Sequence, residues 1–273
     1  MVYLYLLALA IIFHELGHCV IAKCFGVRVK RFCLFYDPGF CLYSTGKRFA
    51  KEYRIGWLPI GGYVSFAMPE GNEQPKWSIL AQHPMKRIAI SLAGVIVNLM
   101  LAYGCMFAWA RNYVLPESQY SDAYVMQKAG EVTISRLNDY RHALVDFYLP
   151  VKTSETQKIE TDSSIENLAL QGNGKQSYTN RFFPSSTTIS STDSKVKNLF
   201  WRFTGLNLVL FLFNLLPIPP LDGAQSLFTL YELITRKPLN EKLRIILVLL
   251  GTVLLLGMLS FDILSDIYHY ITS

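Results

Sequence analysis

Charge is scarce in this sequence. Asp, Glu, Lys and Arg make up 17% of its 273 residues, against 51% hydrophobic residues and a mean hydropathy of +0.26. A soluble globule ordinarily carries more charge, so the composition favours a membrane class. Cysteine is sparse and unpatterned. Cys19, Cys24, Cys33, Cys41 and Cys105 form no C-x-x-C pair, and their odd number leaves at least one without an intramolecular partner. They are expected to be reduced and to act as small apolar residues. The first apolar run lacks the basic leader and the small-residue cleavage site of a signal peptide, so it reads as an uncleaved anchor. No internal repeat is visible.

What the chain does have is four long apolar stretches, at residues 2–22, 88–110, 199–216 and 245–261. Each approaches the roughly 20 helical residues that cross a hydrocarbon core of about 30 Å. The basic residues crowd one side of these stretches. Between Lys23 and Arg87 stand eleven basic residues and four acidic ones, and a second basic cluster follows at Arg236, Lys237, Lys242 and Arg244. The positive-inside rule places both clusters in the cytoplasm, and both chain termini and residues 111–197 outside it, in a plasma (inner) membrane. This asymmetry accounts for the net charge of +6, so the expected surroundings are a lipid bilayer and no nucleic acid. The predicted fold is mainly α, a polytopic membrane protein of about four transmembrane helices. Residues 1–110 form the first half of its core, 111–197 an extracytoplasmic insert, and 198–273 the second half.

Within the first cytoplasmic loop, residues 27–36 and 53–66 are rich in Val, Ile, Tyr, Phe and Trp at strand-like lengths. Residues 57–64 are apolar but interrupted by Pro59 and the Gly61-Gly62 pair, which predicts a β-hairpin dipping into the membrane and lining a protein cavity. Residues 153–194 are Ser/Thr-rich and loop-like. Pro217, Pro219 and Pro220 end the third span, and a helical pattern resumes through residues 221–235.

Only the first span carries imidazole or carboxylate side chains in its interior, and they form His14-Glu15-Leu16-Gly17-His18. Two imidazoles four residues apart share one helical face and can address one ion, with Glu15 standing beside them as a general base. Polar groups at that depth are costly and usually functional. Two histidines do not complete a catalytic zinc site, which takes three protein ligands and one open position. Asp222, just past the proline-broken third span, is the candidate third ligand; the competing reading makes it the N-cap of the following helix. His83, His142 and His269 fall in predicted loops and the tail.

Four stretches together resemble the site-2 protease family of intramembrane zinc proteases, in the branch of the regulator of sigma-E protease. They are HELGHCVIAKCFGVRV (14–29), YRIGWLPIGGYV (53–64), AGVIVNLML (93–101) and NLLPIPPLDG (214–223). The resemblance implies His14, His18 and Asp222 as ligands of Zn2+, Glu15 as the catalytic base, and Asn214, Gly61, Gly62 and Tyr63 as substrate-handling residues. It further implies cleavage of transmembrane-helix protein substrates, such as single-span anti-sigma factors or remnant signal peptides. The chain departs from the family in having Val95 after Gly94, where proline is common, and Ala224-Gln225 after Gly223, where Gly-His is common. Relatives carry PDZ domains outside the membrane. Residues 129–144 faintly resemble part of one, without a carboxylate-binding loop, so the insert is either a degenerate PDZ domain or unrelated. Two alternatives remain at this stage: a non-catalytic membrane protein that binds helices, and a zinc hydrolase acting on lipids or prenylated peptides.

Overall fold

The structure, a computed structural model, describes residues 2–45, 52–69, 75–113, 121–148 and 192–272. The expectation for residues 153–194 lies almost wholly outside them. The chain divides into two compact units, Met1–Ala102 with Leu206–Ser273, and Tyr103–Gly205.

The first unit opens with α1 (Val2–Cys24), about 35 Å of helix built from apolar residues without proline. It ends at Gly26, whose φ of 77° only glycine adopts without strain. There the Val27 N–H donates to the Ala22 carbonyl and the Gly26 N–H to the Lys23 carbonyl, both at 2.9 Å. This double closure satisfies the last carbonyls of the helix and turns the chain into a sheet.

The sheet has four strands, β1 (Val29–Tyr36), β2 (Tyr43–Thr45), β3 (Glu52–Ile55) and β4 (Leu58–Phe66), in the order β2-β3-β1-β4. β1 lies between β3, to which it is parallel, and β4, to which it is antiparallel. The predicted hairpin at Gly61-Gly62 is therefore corrected. Both glycines lie inside one strand, β4, at the edge of the sheet, and β4 pairs with β1 rather than folding back on itself. Cys19, Ala22, Val27, Val29 and Ile90 form the buried cluster that joins sheet to helices, with Phe32, Tyr53, Val64 and Phe66 packed on it.

α2 (Pro84–Tyr113) begins with proline at its first helical position, where the missing N–H costs nothing. The His83 ring nitrogen accepts from the Met85 N–H at 3.3 Å, so His83 serves the helix start. After α4 (Thr192–Leu215) the prolines break the chain, and α5 (Asp222–Thr235) and α6 (Glu241–Thr272) follow. A Cβ at Gly223 would run into the Leu215 and Leu216 carbonyls, and one at Gly251 into the Pro219 carbonyl. Both glycines let backbone pack on backbone at the break. Among the described residues, α1 and α2 are long and apolar enough to cross a membrane. The other two expected spans fall in α4 and α6.

In the second unit, α3 (Asp122–Tyr148) buries Val125, Ala129, Thr133, Tyr140, Ala143 and Leu144, a helical face. Residues 129–144, the stretch with PDZ likeness, are thus the middle of one continuous helix, and His142 stands on that helix rather than in a loop. The Arg136 guanidinium stacks on the Trp201 ring within this unit.

Candidate active site

Helical periodicity puts His14 and His18 one turn apart on α1, with ring centroids 4.8 Å apart and planes at 81°. Both are buried, as is Glu15 between them. Asp222, the first residue of α5, reaches the same point. Its Oδ2 is 2.9 Å from His14 Nε2 and 3.2 Å from His18 Nε2, and the two Nε2 atoms are 3.2 Å apart. Leu221 occupies the N-cap position of α5 without any side-chain cap bond, so capping does not explain the carboxylate.

These separations match a metal donor set. Ligand atoms about 2.0–2.1 Å from a tetrahedral zinc lie about 3.3 Å from one another. The hydrogen bonds behind the imidazoles are equally telling. His18 Nδ1 donates to the Ile90 carbonyl at 2.7 Å, which places its proton there and leaves the Nε2 lone pair facing Asp222. An imidazole lone pair and carboxylate oxygens converging in a buried space suit a small divalent cation. Nitrogen and oxygen donors in this number suit zinc.

The space itself is kept open by glycine. A Cβ on Gly94 of α2 would fall on His18 Nε2 and within 2.8 Å of His14 Nε2, filling the position between the ligands. Gly17 lets the two helices close up, since its Cβ would stand 2.9 Å from the Ala93 carbonyl oxygen. Gly62 does the same for β4, where a Cβ would lie 2.9 Å from Ile11 Cγ2 and 3.2 Å from Glu15 Cγ. The edge strand therefore passes beside Glu15.

A cavity of about 720 Å³ joins these parts, lined by Glu15, His18, Gly62, Tyr63, Ser91 and Asp222 among others. Gly61 and Asn214, the other substrate-handling residues implied by resemblance, are not in its lining; Gly61 takes a φ of 68° in β4, and Asn214 sits half-buried in the last turn of α4. Tyr63 is held by its hydroxyl, which donates to Asp37 Oδ1 at 2.8 Å, and Arg54 bonds the other Asp37 oxygen at 3.1 Å. Burial alone would raise the Asp37 carboxyl, but the bonds from Tyr63 and Arg54 outweigh it and hold the group below the ordinary carboxylate range.

Ile90, Ser91, Gly94 and Asn98 receive no site role from the sequence, although Gly94 and Asn98 lie in the resembling stretch 93–101; all four touch the site. The Ser91 hydroxyl donates to the Asp222 carbonyl at 3.1 Å, and the Asn98 amide lies 3.0 Å from His14 Nδ1. Ser91, Gly94 and Asn98 offered a readable signal, a stripe of small and polar residues on one face of an otherwise apolar helix, whereas Ile90 acts through its backbone carbonyl and offered none.

Comparison with known proteins agrees with this geometry. A protein of Clostridium perfringens strain 13, provisionally named a zinc metalloprotease, is 24% identical over 94% of this chain and 95% of its own length. A Synechocystis protein with the same provisional name is 25% identical over 95% of this chain and 92% of its own. A third, from Clostridium acetobutylicum, is 33% identical over 60% of this chain and 48% of its own. The model of peptidase family M50 matches residues 2–258, and with that span the chain belongs to this family, the site-2 proteases.

Proposed function

We propose that this chain is an intramembrane zinc endopeptidase that hydrolyses peptide bonds in or near transmembrane helices, with His14, His18 and Asp222 as zinc ligands and Glu15 as general base. One observation carries the reading: two imidazoles and a carboxylate, drawn from elements 208 residues apart in sequence, converge on one buried point beside Glu15. Zinc held there would supply Lewis acidity, polarising a peptide carbonyl and acidifying water. Glu15 would take the proton from the attacking water and pass it to the leaving amine. The apolar walls of the cavity, Ile79, Leu80, Ile90 and Phe228, would limit bulk water around the reacting bond.

A helical substrate shields its amides in internal hydrogen bonds, so cleavage needs local unwinding. β4 supports a route to it, because an edge strand beside Glu15 offers backbone groups with which an extended peptide can pair. Gly62 and Tyr63 would then face the substrate.

The membrane setting is supported by α1 and α2, and by the large apolar residues that α6 exposes, among them Ile245, Leu249, Leu250 and Val253. On this reading α4 and α6 are the third and fourth spans and both termini are extracytoplasmic. The cavity is lined by Arg87 and Arg244, from the two basic segments, which favours an active site opening toward the cytoplasm of a bacterial inner membrane. Single-span anti-sigma factors and remnant signal peptides fit as substrates.

The test is Glu15→Gln in detergent-purified protein, assayed for zinc by elemental analysis and for cleavage of a single-span substrate. Zinc content should stay at the wild-type level while cleavage falls by about 10²–10⁴-fold. Cleavage at the wild-type rate would sink the mechanism.

A further inference from the structure

Asn98 is fully buried on α2, one helical turn beyond Gly94. Its Nδ2 lies 3.0 Å from His14 Nδ1, and its Oδ1, also buried, has no hydrogen-bond partner among the described residues. In that orientation the amide donates to Nδ1, and the imidazole proton must sit on Nε2, the atom that faces Asp222 and His18. A zinc ligand needs its lone pair at that atom.

Turning the amide by 180° exchanges nitrogen and oxygen without altering the side chain's shape, and the two orientations differ only in their hydrogen bonds. It places an acceptor beside His14 Nδ1. The imidazole proton then stays on Nδ1, and Nε2 presents its lone pair to the metal. One amide atom lacks a described partner in either orientation, so hydrogen-bond count does not choose between them. The metal does. His18 shows the same arrangement already, with its Nδ1 proton given to the Ile90 carbonyl.

Resting on the zinc reading above, we infer that Asn98 is a positioning residue for the metal site, its amide oxygen accepting the Nδ1 proton of His14. α2 thereby sets the tautomer of both histidines, one through a backbone carbonyl and one through a side chain. Gly94, between Ile90 and Asn98, leaves room for the rings they orient. Neither Asn98 nor α2 supplies a zinc ligand, yet the affinity of the site depends on them.

The experiment compares Asn98→Leu, close in size but without an acceptor, with Asn98→Asp, which accepts and cannot donate when ionised. Full-length protein in detergent is loaded with zinc alone and titrated with a graded series of chelators, and thermal unfolding of the metal-free protein is followed in parallel. Asn98→Leu should weaken zinc retention by about 10–100-fold, and Asn98→Asp should stay within a few-fold of wild type. A packing role predicts the reverse order, because a buried carboxylate is costly where leucine is not. Equal retention in both variants, or better retention by Asn98→Leu, overturns the inference. If Asn98→Leu does not fold, Asn98→Ala, equally without an acceptor, takes its place in the same comparison. Asp222→Asn serves as the control. If it keeps wild-type zinc, the zinc reading itself fails; if it loses zinc while Asn98→Leu does not, only the role of Asn98 falls.

Discussion

Two polar clusters lie in the same unit, and they are built on opposite principles. On the sheet, Glu52 accepts from Arg31, Arg54 and Ser44, and Arg54 also bonds Asp37, so each of the charges of Arg31, Asp37, Glu52 and Arg54 meets an opposite charge at 2.8–3.1 Å. Between α1, α2 and α5, by contrast, His14, His18 and Asp222 bring ring nitrogens and a carboxylate oxygen within 3.2 Å of one another, and among the described residues no Lys or Arg forms an ion pair with Asp222. The first cluster completes itself and serves the sheet. On the proposed function the second is complete only with an ion, and the back of the His18 ring is bonded so that its lone pair points inward. Self-sufficiency separates a structural network from a binding site more clearly than burial or residue type does.

Asp222→Asn gives that contrast its hardest test. An amide caps a helix about as well as a carboxylate but is a poor zinc ligand. The variant should insert normally, lose zinc by elemental analysis, and lose cleavage of a single-span substrate by about a thousand-fold or more. Full zinc and normal cleavage would move Asp222 into the self-completing class. Gly94→Ala should come next in size. Its methyl group would occupy the gap between the imidazoles, so zinc retention against a chelator should drop by about 10-fold or more while the helices stay in place. Unchanged retention would show that α2 can retreat from the ligands at little cost.

The smallest effect belongs to the sheet. The Asp37 carboxyl is held below its ordinary value, so its contribution to stability is present above the unfolded carboxylate value and is lost as pH falls through the folded one. Amide-exchange protection of β1 and β4 should therefore be flat from about pH 8 to 5 and decline below about pH 4. Asp37→Asn should flatten that acid limb and leave zinc content unchanged. A loss of zinc in that variant would couple the two clusters through Tyr63, which bonds Asp37 and lines the cavity.

Much of the site was legible. His14, Glu15 and His18 stand out because ionisable residues inside an apolar helix demand a reason, and Asp222 because a carboxylate follows a broken helix. What escaped was whatever depends on non-local proximity. Gly61-Gly62 read as a turn because paired glycines usually make one, but Gly62 is there to admit α1 against β4. Nothing local reveals that β1 takes β3 as a parallel partner on one side and β4 on the other. Gly94 and Asn98 fall in a stretch that carries the family resemblance (93–101), but no role is legible for them there, because they touch His14 and His18, some 80 residues upstream. α3 was missed as a helix because its buried face is diluted by polar residues on every turn.

The reach from His14 to Asp222 also sets a clock. A chain growing from its N-terminus at about 5–20 residues per second makes His14 roughly 10–40 s before it makes Asp222, with 208 residues between them. On the proposed function, α1 would wait through that interval in the bilayer with its two imidazoles and Glu15 but without the carboxylate that completes the set. On that reading, a hydrolase that takes membrane helices would thus be born disarmed among nascent helices, its own included, and would become active only once the segment carrying Asp222 has arrived.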